Sequence, residues 1–371
     1  MPKKICFTLI ALFGLLVFYQ SVFSVLPNIY AKIDKKSGIP NYVAYSKAQI
    51  ALGRHLFYDR RLSANGSKSC ASCHSQALAF TDGYRRSLGL WGDTHKHNAQ
   101  PLFNLPYNRS FTWSRSDITS LEQQIVMPLM GIHPVVEMGM NAENMPPLTQ
   151  TLANDLVYKK LFEKAFPNQN NAITTQNIVA SLAAFCQSIQ SFNSDFDRNQ
   201  LSQSALRGKQ LFFGLKLQCF ECHSGKNFNE NPSATAAEDH FFNIGLYNIA
   251  PRSLYPKGDR GLLEHTHEID DMGKFRTPTL RNLAFTAPYM HDGSVETLAE
   301  VIQIYEQGGR NIDLIGNPNT GDGRQSRYKV GFLTGFEVSK SERDDLINFL
   351  MALNDSSLTT NKKYSNPFEG K

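Results

Sequence analysis

This 371-residue chain predicts an all-α protein built from two tandem halves, and three observations carry the prediction. Its apolar residues recur at helical spacing, strand-like alternation is weak throughout, and a block of sequence occurs twice.

The repeat opens each half. Gly53-Arg-His-Leu-Phe-Tyr58 precedes Cys70-Ala-Ser-Cys73-His74, and Gly208-Lys-Gln-Leu-Phe-Phe213 precedes Cys219-Phe-Glu-Cys222-His223. Two CxxCH motifs imply two covalently attached haem c groups: the thiols bond the porphyrin vinyl groups and the histidine ligates iron. A redox dithiol would sit beside a βαβ pattern, which neither segment shows. Zinc would need the two cysteine pairs to converge from distant parts of the chain and would leave both histidines unexplained. Downstream, Asn98-Ala-Gln-Pro-Leu-Phe-Asn-Leu105 parallels Arg276-Thr-Pro-Thr-Leu-Arg-Asn-Leu283. Each half therefore reads as a cytochrome c-like haem domain, residues 41–200 and 201–360, joined through the polar stretch Phe192 to Ser204.

The long stripes place the helices. Ile178, Leu182, Phe185, Ile189 and Phe192 follow one helical face, as do Leu346, Phe349, Leu350 and Leu353. Ser339 with Glu342 forms a capping box that starts the last of these helices. Thr297 with Glu300 caps another, whose stripe Leu298, Val301, Ile302 and Tyr305 ends at Gly308-Gly309.

Composition narrows the class. Hydrophobic content of 41% is too low for a polytopic membrane protein, and the net charge of +5 comes with no dense basic block beyond Lys3 and Lys4, which excludes a nucleic-acid backbone as partner. Residues 1–24 have a basic start, an apolar run from Ile5 to Tyr19 and a small-residue site at Val22-Phe23-Ser24. They read as a signal peptide for export to the periplasm, with an uncleaved membrane anchor as the alternative. Cys6 lies within that segment, so Cys186, on an apolar helical stripe, reads as a buried inert thiol.

The halves differ where iron chemistry is decided. Aligning Ser120-Leu121 with Thr297-Leu298 sets Pro128 opposite Tyr305. A phenol can close an iron; a proline cannot coordinate one. One haem would then be capped and the other left open to hydrogen peroxide, whose O–O cleavage needs a group to carry a proton from the near to the far oxygen. Gln124, one helical turn before Pro128, faces the same way. Glu137, in an apolar Val-Val-Glu-Met setting, is the nearest downstream carboxylate and suits acid–base work if burial raises its pKa. Trp113 lies between the first motif and Gln124, as a core residue or as a redox relay between the haems.

The two CxxCH motifs, Phe275-Arg-Thr-Pro-Thr-Leu-Arg-Asn282 and Ala287-Pro-Tyr-Met-His-Asp-Gly293 together resemble the bacterial di-haem cytochrome c peroxidase superfamily over nearly all of the chain after about residue 45. Tyr305 stands where the peroxide-detoxifying members have an axial methionine, and this resembles the MauG-like branch. The resemblance implies a peroxide-driven oxidase whose two haems share two oxidising equivalents as a bis-Fe(IV) state. Such an enzyme oxidises side chains, tryptophan foremost, of an exported partner, for instance a copper-binding protein. The alternative within the superfamily is a detoxifying peroxidase fed by a small cytochrome c. On the resemblance His74 ligates the open haem, and His223 with Tyr305 ligates the other, with Met290 a rival ligand. A hard phenolate suits high-valent iron, whereas a thioether favours Fe(II). Gln124, Pro128 and Glu137 match the distal pocket of the peroxide-binding haem, and Trp113 the inter-haem tryptophan. The Asn98 side chain with the Thr286 and Pro288 carbonyls matches a Ca2+ site between the halves. His95 and His97 fall where the detoxifying branch carries a capping histidine, and otherwise read as solvated loop. Leu217 replaces a tryptophan used for electron exit in MauG, leaving the exit route open.

Overall fold

A computed structural model describes residues 35–369 apart from 38, 132–134 and 315. The leader segment 1–24, with its signal or anchor reading, lies outside the described residues. Among the described residues no helix is long and apolar enough to cross a membrane.

Among the described residues ten α-helices form the frame: α1 (Lys47–Tyr58), α2 (Leu121–Met130), α3 (Met145–Asn154), α4 (Leu156–Ala165), α5 (Thr175–Ser188), α6 (Gln203–Phe213), α7 (Leu263–Thr266), α8 (Leu298–Glu306), α9 (Lys340–Met351) and α10 (Ser357–Thr360). The prediction of helices holds, with one addition. Two small antiparallel ladders occur, β1 (Phe241–Phe242) with β2 (Phe275–Arg276), and β3 (Asn311–Ile312) with β4 (Gly321–Asp322). At two residues per strand they pin loops rather than build a layer.

The repeat in sequence is a repeat in packing. In the first half α1 crosses α5 at Gly53, where an added Cβ would lie 1.7 Å from the Ser181 carbonyl oxygen and 2.9 Å from Phe185 Cβ. In the second half α6 crosses α9 at Gly208, where a Cβ would lie 1.9 Å from the Asp345 carbonyl oxygen and 2.9 Å from Phe349 Cβ. Only a residue without a side chain lets the two backbones approach this closely. Each crossing closes an apolar core: Leu52, Leu56, Phe57, Leu182 and Phe185 in one half, Phe212, Leu346, Phe349 and Leu353 in the other.

Both capping boxes that the sequence indicates form, and the structure adds one at the start of α2. Ser120 accepts from the Gln123 amide at 3.1 Å, Thr297 from the Glu300 amide at 3.2 Å, and Ser339 from the Glu342 amide at 3.2 Å. Helices α2 and α8 thus start with the same device at the aligned positions.

Two stripes run past their helices. α5 stops at Ser188 and α9 at Met351, so Ile189, Phe192 and Leu353 are not helical. The cause is a pair of fully buried asparagines. Asn104 takes the Ile189 carbonyl with its amide at 2.9 Å, and Asn282 takes the Leu353 carbonyl at 3.3 Å. Both asparagines have left-handed backbones, φ 53° and 62°, and they meet at Ser191. Asn104 donates to the Ser191 carbonyl at 3.0 Å and Asn282 donates to its hydroxyl at 2.9 Å. A polar seam in register therefore ties the halves together, each of its groups satisfied.

The chain end crosses back. Gln76 donates to the Leu358 carbonyl at 2.9 Å, Tyr58 to the Tyr364 carbonyl at 2.7 Å, and Arg54 to the Ser365 carbonyl at 2.6 Å. Leu358 and Tyr364 join the first core, so the last turn of the second half also closes the first.

Candidate functional site

Each CxxCH motif opens on a single 3-10 turn, Cys70–Ser72 or Cys219–Glu221, which carries the following histidine back over the cysteines. The amide of His74 donates to the Cys70 carbonyl and that of His223 to the Cys219 carbonyl, both at 3.0 Å. The rings are fixed by backbone. His74 Nδ1 sits 2.9 Å from the Phe80 carbonyl, and His223 Nδ1 sits 2.9 Å from the Phe228 carbonyl. Phe80 and Phe228 adopt left-handed backbones, φ 63° and 52°, which turn those carbonyls inward. Nδ1 therefore carries the proton and Nε2 is left as the ligating atom in both halves. Burial holds both imidazoles neutral, lowering the His74 pKa and pushing that of His223 down to about 4.

The second motif lines a cavity of about 390 Å3. Cys219, Cys222 and His223 form one wall and Tyr305 on α8 lies across it, with Leu217 beside the motif. The Tyr305 hydroxyl has no hydrogen-bond partner among the described residues, and burial followed by the neighbouring Cys222 and Cys219 raises its pKa. Met290 lines the same cavity. An apolar slot with two thiols, a free imidazole nitrogen and an unpartnered phenol fits a haem c.

In the first half, α2 presents Gln124 and Pro128. The Gln124 Oε1 is buried with no protein partner, an acceptor waiting for a bound group. Glu137 lies in the electrostatic field of both Cys70 and Cys73, so it sits at this motif. Its side chain is 39% open, yet crowding by protein atoms pushes its carboxyl up to about 7, against a slight pull from Lys68. Cys70, Cys73 and the free His74 nitrogen would suit a second haem c, with Glu137 as the carboxyl near the motif.

Neither loop histidine is solvated, which corrects that reading. His95 is 15% exposed and its Nε2 lies 3.8 Å from Glu137 Oε1. His97 donates to Asp259 at 2.7 Å, and His291 Nε2 lies 3.4 Å from the other Asp259 oxygen. His97 thereby joins the halves.

Trp113 occupies the seam. It is 8% exposed, donates from Nε1 to the Asn98 carbonyl at 2.9 Å, and packs in the core of the second half although it belongs to the first. It lines the second cavity and also a smaller one with Gln100, whose carbonyl lies against His74. Asn98, Thr286 and Pro288 all line the second cavity. Asn98 Nδ2 donates to the Tyr84 carbonyl at 2.9 Å, leaving its oxygen free, and no described amide takes the Thr286 or Pro288 carbonyl. Three free oxygens suit a hard cation.

Cys186 is 5% exposed, as a buried thiol should be. The residues with no signature in sequence are Phe80 and Phe228, which act through carbonyls; His95 reads as a candidate cap, but its nearness to Glu137 needs the folded loop.

A profile of the family described as di-haem cytochrome c peroxidase matches residues 47–206. The cytochrome-c peroxidase IdrP1 of Pseudomonas sp. (strain SCT) is 32% identical, with 85% of this chain and 83% of that protein aligned. The methylamine utilization protein MauG of Methylorubrum extorquens is also 32% identical, over 88% of this chain and 85% of that protein. A crystal structure titled as a MauG-like protein associated with microbial copper homeostasis is 38% identical, with a TM-score of 0.84 over 92% of this chain and 98% of that one.

Proposed function

Because this chain belongs to the di-haem cytochrome c peroxidase family, we propose that it is an exported, periplasmic enzyme that uses hydrogen peroxide to oxidise side chains, tryptophan foremost, of a partner protein. The observation that carries the reading is the divergence of two helices that begin alike. α2 and α8 share a capping box, yet at aligned positions one bears Pro128 and the other Tyr305.

Two haem c groups, one per half, supply the redox chemistry: an iron that peroxide reaches and a second that shares the two oxidising equivalents. Cys70 and Cys73 would hold the first haem and Cys219 and Cys222 the second, with His74 and His223 ligating through Nε2. Tyr305 would close the second iron as phenolate. Burial alone keeps this phenol protonated, so a cationic metal must displace the proton, as metals do for other acidic ligands. Met290 remains the rival in the same cavity; the free hydroxyl and its field from both cysteines favour Tyr305.

At the first haem, Pro128 offers no donor atom. Glu137, in its carboxylate form, would take the proton from the near oxygen of peroxide and return it to the far one, while Gln124 holds the peroxide in line. Trp113 would pass oxidising equivalents across the seam, with Ca2+ on Asn98, Thr286 and Pro288 fixing that part of the second cavity's lining. A copper-binding exported partner fits the copper-homeostasis association of the similar crystal structure.

The competing reading is a detoxifying peroxidase fed by a small cytochrome c. Both are tested together by giving holoprotein and peroxide either a candidate exported copper-binding protein or a reduced small cytochrome. The proposal expects oxygen-atom or dehydrogenation mass changes at partner tryptophans and negligible cytochrome turnover. Sustained cytochrome oxidation with an unmodified partner would replace it.

A further inference from the structure

Three tyrosines donate to buried carboxylates: the buried Tyr158 to Asp59, the buried Tyr247 to Asp292, and the partly buried Tyr45 to Glu122. Two of these carboxylates are already neutralised. Arg61 pairs with Asp59 at 2.7 Å and stacks over Tyr158. Arg85 lies 3.8 Å from Asp292, and Arg310 stacks on Tyr247. Glu122 differs. It is 2% exposed, and among the described residues no cation pairs with it. Its supporting contacts are Tyr45, the Ser120 side chain and its own backbone in the first turn of α2.

An arginine lowers a carboxylate's appetite for a proton; a buried carboxylate without one keeps it. The phenol next to such a group is the one that can lose an electron without stranding a cationic ring in an apolar core, since its proton has somewhere to go. Tyr45 also belongs to the core of the half whose CxxCH motif would hold the first haem. It packs on the same core as Cys70, and Cys186 lies within the electrostatic reach of both the Cys70 sulfur and the Tyr45 phenol.

We propose that Tyr45 is a redox-active tyrosine of the first half. It gives one electron to the peroxide-oxidised first haem while its hydroxyl proton moves to the Glu122 carboxylate, leaving a neutral tyrosyl radical, a protonated Glu122 and a haem reduced by one equivalent. No heavy-atom bond forms or breaks. Tyr45 would thus drain oxidising equivalents when no partner is docked. The inference rests on peroxide reaching the first iron, and it holds whichever partner the enzyme serves.

The test is freeze-quench EPR of the holoprotein after one equivalent of peroxide without partner, beside Tyr45→Phe and Glu122→Gln, with absorption recording haem oxidation in the same samples. A nitroso spin trap followed by peptide mass spectrometry locates the radical. The expected result is a neutral tyrosyl signal and a trap adduct on Tyr45 in the native protein. Both should be lost in Tyr45→Phe and in Glu122→Gln, which keeps the phenol but removes the proton acceptor. The oxidised haem signal should last several-fold longer in both variants, while its rate of formation is unchanged. Normal haem oxidation with no tyrosyl signal, or with the signal surviving in Tyr45→Phe, overturns this inference alone. Absence of any haem oxidation overturns the open-iron reading as well. If Tyr45→Phe fails to fold, Glu122→Gln carries the same comparison.

Discussion

Removing the Glu137 carboxyl should erase a pH dependence whose size follows from its surroundings. Burial at the first motif moves this carboxyl from an ordinary 4.5 to about 7. A raised value means the proton is held longer as pH rises, so the base form is scarce below 7 and dominant above it. With a midpoint of 7 the carboxylate fraction is about one in eleven at pH 6 and about ten in eleven at pH 8, a rate ratio of about tenfold for a step that needs the base. An ordinary glutamate would give a flat profile over that range. Stopped-flow absorption of ferric holoprotein mixed with peroxide between pH 5.5 and 8.5, a range bracketing the shifted value, reads the rate directly. Glu137→Gln should be slower by roughly 10²–10⁴ and flat. His95, 3.8 Å away, is the other ionisable ring at this site, and burial lowers its pKa from the ordinary imidazole value; Lys68 is the facing cation. His95→Asn should keep the inflection near 7. A flat native profile, or an inflection that survives in Glu137→Gln, would refute the assignment.

Four further outcomes rest on the geometry. Gly208→Ala forces a methyl into the Asp345 carbonyl oxygen and should cost about 2–3 kcal/mol in denaturant unfolding of the holoprotein. Gly331→Ala, at a glycine with open space around it, should stay within about 0.5 kcal/mol. Trp113→Phe should leave both haem spectra intact and slow the sharing of oxidising equivalents, read by rapid-mixing spectroscopy; an unchanged rate would remove Trp113 from the route. Calcium added to chelator-treated holoprotein should raise its unfolding temperature, by mass action on the folded state, and Asn98→Ala should abolish the rise.

What the sequence discloses is local. The CxxCH spacings, the capping boxes at Thr297 and Ser339 and the repeated glycine are each legible within a few residues, and each marks a feature the fold uses. The helix ends were not. Ile189 and Leu353 are buried and Phe192 partly buried, so their apolar stripes continue, but the Ile189 and Leu353 carbonyls are claimed by Asn104 and Asn282 from far along the chain. Backbone groups hide for a different reason. The Phe80 and Phe228 carbonyls fix the histidine rings, yet a carbonyl leaves no side-chain signature. The Tyr45–Glu122 and His95–Glu137 approaches exist only once the loops and α2 are in place. Gln124, Pro128 and Tyr305 were legible because the duplicated unit supplies its own reference: aligned against each other, the halves expose where they depart.

The account stands on that departure, and Mössbauer and resonance Raman spectra of the ferric holoprotein test it most directly. One high-spin iron with imidazole as its only protein ligand and one low-spin iron with tyrosinate vibrations that vanish in Tyr305→Phe are the predicted result. Two six-coordinate low-spin irons, or sulfur ligation at the second, would contradict it.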